Sequence, residues 1–60
     1  MTKTEKLLAR MICLYSFEHP AVIQFAALIE KMEENNNVDL ECLEFIVKNH
    51  ENKVYKISKG

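Results

Sequence analysis

Apolar positions recur at helical spacing along the first quarter of the chain. At about 100° per residue, Leu7, Leu8, Met11, Ile12, Leu14 and Tyr15 fall on one arc of about 160°. Glu5, Lys6, Ala9, Arg10 and Cys13 take the other side. Ahead of the arc, Thr2-Lys3-Thr4-Glu5 has the spacing of a capping box, in which hydroxyl and carboxylate each satisfy the other residue's backbone donor. A first helix is therefore predicted over about residues 3–16. Ser16 to Pro20 breaks the pattern, because the residue before a proline avoids the helical region, while Pro20 itself suits the first turn of a new helix. Val22, Phe25, Ala26, Ile29 and Met32, with Ala21 and Leu28, then define a broad apolar face and a second helix over about residues 20–34. Gln24, Glu30, Lys31, Glu33 and Glu34 form its polar side, and Ile23 falls among them as an anomaly. Two glutamates end this helix, where the negative end of its dipole disfavours them.

Asn35-Asn36-Asn37 closes the second helix, since asparagine tolerates the left-handed conformation and competes for backbone hydrogen bonds. Asp39 has the position of an N-cap, and Val38 with Leu43 the spacing of a hydrophobic staple. A third helix is predicted over about residues 40–49. Its apolar side is wide: Leu40, Cys42, Leu43, Phe45, Ile46 and Val47 span about 220°. Glu41, Glu44 and Lys48 leave only a narrow polar strip. A helix apolar over so much of its surface needs cover on more than one side. A short chain has little protein to supply it, so a homodimer or a partner protein is expected. Beyond Asn49 the pattern fades. Residues 51–60 read as a flexible basic tail or as a short strand favoured by Val54, Tyr55 and Ile57.

Composition supports an all-α chain. Sixty residues make one small domain, and the single Gly and single Pro are too few for the turns of an all-β fold. A chain of this size buries only about 60% of the surface it exposes unfolded, so alone it is marginally stable. Two cysteines do not make a disulfide framework. No apolar run reaches the length of a membrane span, and Arg10 interrupts any signal-like stretch. A cytoplasmic protein with free thiols is expected.

The net charge of −1 conceals a basic, acidic, basic layout. Residues 1–15 carry +2, residues 16–47 carry −6 and residues 48–60 carry +3. Such a layout steers partners by charge.

Candidate chemistry is sparse. Cys13 and Cys42 stand 29 residues apart, unlike the short cysteine spacings of zinc sites. Cys42 and His50 on one helix would lie roughly 12 Å apart by helical rise, too far to share an ion. Cys42 reads as a small core residue and Cys13 as an exposed thiol. Cys13 with His19 is the one nearby nucleophile–base pair, with no pocket evident. With Gly60 the lone glycine, a glycine-rich phosphate loop is impossible. No catalytic, metal or cofactor site is predicted.

Two binding readings follow. The second and third helices have the order of a helix-turn-helix, yet the would-be reader helix presents Asp39, Glu41 and Glu44, which a polyanion repels. Nucleic-acid binding would need Lys3, Lys6, Arg10, Lys53, Lys56 and Lys59 gathered into one patch. The favoured reading is a small non-enzymatic regulator or inhibitor of a protein partner. Glu33, Glu34, Asp39, Glu41 and Glu44 would steer or contact that partner, with Ile23 and Phe45 as apolar anchors. An acidic helical edge of this kind would also mimic a phosphate backbone. The expected fold is three short helices in a small bundle or a helical-hairpin dimer. Small size with many Lys, Glu and Asn would suit a phage or mobile-element gene product.

Overall fold

The computed structural model describes the backbone of residues 2–59 and the side chains of residues 2–56. These residues form three α-helices and no strand: α1 (Lys3–Leu14), α2 (Pro20–Glu34) and α3 (Leu40–Lys59). The chain is a small all-α bundle, as its periodicity predicts.

Each helix begins at a side-chain cap. Thr2 Oγ1 accepts the Glu5 N–H and the Glu5 carboxylate accepts the Thr2 N–H, both at 3.2 Å, completing the capping box of α1. His19 is extended, as its place before Pro20 requires, and its Nδ1 accepts the Ala21 N–H at 3.0 Å. Asp39 Oδ1 accepts the Cys42 N–H at 3.1 Å at the start of α3.

The asparagine run closes α2 with a Schellman motif. The Asn37 N–H reaches the Met32 carbonyl at 3.0 Å, and the Asn36 N–H reaches Glu33 at 3.1 Å. Asn36 takes the left-handed position at φ 52°, where glycine is commonest and asparagine next.

Two helix ends differ from expectation. α1 stops at Leu14, because Tyr15 leaves the helix at φ −116°, ψ −87°. α3 does not stop at Asn49. It continues to Lys59, so residues 51–59 are helical rather than the strand or tail expected. Glu51 and Val54 follow Val47 at four and seven residues and prolong its inward stripe, and both are partly buried. With no strand to pair with, the β-preference of Val54 and Tyr55 yields to this packing. The side chains of residues 57–60 lie outside the described residues.

The core takes Leu7 and Met11 from α1, Val22, Phe25 and Ile29 from α2, and Leu43 and Val47 from α3. α1 packs against both other helices. Among the described residues no Cα of α2 comes within 8 Å of a Cα of α3. Phe25, Leu28 and Ile46 line the groove that separates them.

α1 and α3 run the same way. Lys3, Lys6 and Leu7 face Leu40 and Glu44, while Cys13 and Leu14 face Val54 and Tyr55. Midway, Arg10 forks onto Glu51, with Nη2–Oε1 at 2.6 Å and Nε–Oε2 at 3.2 Å. The Glu51 carboxylate holds the Arg10 guanidinium above its already high ordinary pKa.

Among the described residues no helix is long and apolar enough to cross a membrane.

Candidate functional site

Among the described residues, an exposed apolar groove lies on the seam between α1 and α2, on the flank away from α3. Leu8 and Ile12 form one wall. Ile23, Ala26 and Ala27 form the other, and Phe17 from the connecting loop closes one end. The groove has a volume of about 360 Å³. Phe17 is 76% exposed and Ile23 58% exposed, so two large apolar side chains stand in water at its margin. Isolated surface apolar residues need no explanation, whereas these form a contiguous set around one groove.

Helical spacing builds the groove. Leu8 and Ile12 are four apart on α1, on the α2 side of its wide apolar arc. The inner part of that arc, Leu7 and Met11, fills the core and leaves Leu8 and Ile12 only partly covered. On α2, Ile23, Ala27, Glu30 and Glu34 recur at four, three and four residues and share one stripe. Ile23, anomalous on a single-helix wheel, thus stands beside Ala26 and Ala27 in a shared apolar strip.

The groove changes character along its length. Near Phe17 and Ile23 it is apolar. Toward the C-terminus of α2, Glu30 lines it, and Glu33 and Glu34 follow within the next turn. The carboxylates coincide with the negative end of the α2 dipole. Among the described residues no basic side chain lines the groove.

The seven residues expected to meet a partner are spread over α2, the α2–α3 connection and α3. Ile23 is on this groove, with Glu33 and Glu34 beyond its acidic end. Asp39 caps α3. Glu41 and Phe45 are exposed on α3, Phe45 at 65%. Glu44 faces Lys3, Lys6 and Arg10 of α1, so its charge is turned toward the chain's own cations. Leu8, Ile12, Phe17, Ala26 and Ala27 complete the groove and were not singled out by sequence. The available signal was an α1 arc wider than one neighbouring helix covers, followed at once by an exposed aromatic.

The apolar width of α3 is only partly used. Leu43 and Val47 are wholly buried, and Leu40 and Ile46 pack at the core's edge. Cys42 and Phe45 remain exposed, so Cys42 is not the small core residue expected.

The basic residues are not gathered into one patch. Lys3 and Lys6 lie beside the first turns of α3, and Arg10 is committed to Glu51. Lys53 and Lys56 are exposed nine and twelve residues beyond Glu44, roughly 13 and 18 Å farther along α3 by helical rise. The Lys59 side chain lies outside the described residues.

A polar cluster joins the three helices at the opposite end from Asp39. The Tyr15 hydroxyl and His50 Nδ1 are 2.6 Å apart. His19 stacks on Tyr15, with ring centroids 4.3 Å apart. Cys13 faces Arg10, Glu51 and Tyr55 on another flank of α1, so it does not meet His19. Among the described residues no group of three or more His, Cys, Asp or Glu side chains is arranged to hold a metal ion.

Compared with known proteins, the chain matches no family model, no curated protein and no solved structure. The functional reading therefore rests on the groove's own chemistry.

Proposed function

We propose that this chain is a small non-enzymatic binding module, a regulator or inhibitor that engages a protein partner through the α1–α2 groove. The exposure of Phe17 and Ile23 around an apolar groove with an acidic end carries this reading. Apolar centre and charged margin are the usual layout of a protein interface. Glu33 and Glu34 would steer the partner, and Ile23 would anchor it. Asp39 lies beside Lys31 and Met32 of α2, and Glu41, Glu44 and Phe45 are on α3. Homodimerisation, if it involves α3, would use Cys42 and Phe45, which are exposed. Sedimentation of the native chain beside Phe45→Glu tests that contact, and a monomer at high micromolar concentration removes it.

Nucleic-acid binding finds less support, because the basic residues are dispersed and the start of α3 is acidic. A nuclease-treated pull-down separates the readings. The native chain is compared with Ile23→Asp and with Lys53→Glu/Lys56→Glu. A protein held by the native chain and the lysine variant, but lost from Ile23→Asp, is the expected result. Recovery of nucleic acid alone, lost with the lysine variant, would put the helix-turn-helix reading first.

A further inference from the structure

We infer that the occupant of the α1–α2 groove is a single amphipathic helix of a partner protein, with its basic residues gathered over the C-terminal end of α2. The inference rests on the groove being the binding site proposed above, and names what fills it.

The geometry of the walls points to a helix. Two neighbouring helices make the groove, and a third helix laid along their seam packs its ridge between theirs. Addition of an extended peptide to a sheet edge has no template here, since the described residues contain no strand. Small residues at Ala26 and Ala27 let a helix approach α2 closely, while Phe17 closes the apolar end. An occupant would offer apolar side chains at i, i+3 or i+4, and i+7 to Leu8, Ile12 and Ile23.

The charges point to a basic end. Glu30, Glu33 and Glu34 repel one another and sit where the α2 dipole is also negative. Lys31 is the basic residue of that last turn, and it does not line the groove. Lysines or arginines on the occupant would neutralise this end. A second copy of the chain is a poorer match. Groove against groove supplies no basic side chain, since none lines it. The exposed face of α3 offers Cys42 and Phe45, three residues apart, followed by Asn49 and Asn52, so its apolar repeat ends after one turn.

The test uses a displayed library of random 16-residue peptides, selected on the native chain and counter-selected on Ala27→Arg. Ala27 is exposed, and circular dichroism checks that the variant stays helical. Enriched peptides are expected to carry the apolar helical repeat with Lys or Arg at one end, and to gain helicity on binding. Their affinity should fall about tenfold for Glu30→Gln/Glu33→Gln/Glu34→Gln at low salt. Peptides that lose binding with Ala27→Arg yet are extended, or lack the basic end, overturn this inference and leave the groove as the site. Failure to enrich any peptide sensitive to Ala27→Arg overturns both. A dimer in sedimentation that Ala27→Arg dissociates also overturns it, because a second copy then fills the groove.

Discussion

Asn36 shows how one residue fixes a connection. At φ 52° it lets the Asn36 and Asn37 N–H groups turn back onto the last carbonyls of α2. An ordinary residue there costs about 1 kcal/mol, whereas glycine adopts the conformation freely. Asn36→Ala should therefore lower stability by about 1 kcal/mol and Asn36→Gly should hold or raise it, measured by urea unfolding. Equal midpoints for the three proteins would remove the Schellman account. The left-handed turn was legible in the asparagine run. The cap at His19 was not, because histidine is uncommon there, and only the fold brings its ring onto Tyr15.

Among elements, α3 separates most clearly what periodicity shows from what packing decides. Its wheel gives a wide apolar arc without saying which part faces protein. Leu43 and Phe45 are two residues apart, yet one is wholly buried and the other 65% exposed. Leu43→Ala should cost about 2–5 kcal/mol, as deletions in a closed core do. Phe45→Ala should stay within about 0.5 kcal/mol for the monomer. A large loss at Phe45 in dilute solution would mean that a partner copy covers it. The later half of α3 adds the Arg10–Glu51 fork and the partly buried Val54. Ending the chain after His50 should lower stability by about 1–3 kcal/mol in chemical denaturation. An unchanged midpoint would make residues 51–60 an independent tail. The helicity of residues 51–59 was hidden from the sequence because Val54 and Tyr55 favour strands in isolation.

At the scale of the whole molecule, helix order sorts the charges. α1 sits against both neighbours, so its basic face meets α3 and its apolar flank is left beside α2. Glu44 then shares a cleft with Lys3, Lys6 and Arg10, whereas Glu34 ends α2 among like charges. Charge reversal should have opposite effects at the two sites. Glu44→Lys should lower stability by up to about 1 kcal/mol, and Glu34→Lys should raise it by about 0.3–1 kcal/mol. Thermal unfolding at low ionic strength measures both, and the difference should shrink in 1 M salt. If Glu34→Lys also destabilises, the acidic end of the groove is already neutralised within the chain. Partner binding at that end should weaken as salt rises, while Ile23→Asp should weaken it at every salt concentration.

The sequence by itself determined the three helices, two of their caps, the turn at the asparagines and the identity of most core residues. These are local: a 3.6-residue period, a capping side chain and a left-handed position each act within a few residues. Only the tertiary structure decided where the surface is. The groove needs Leu8 and Ile12 from one helix beside Ile23, Ala26 and Ala27 from another. Whether an apolar arc is core or surface depends on which neighbour covers it, and a single-helix wheel carries no neighbour. The same reason divides the acidic residues, since Glu34 and Glu44 differ only in what the fold sets opposite them.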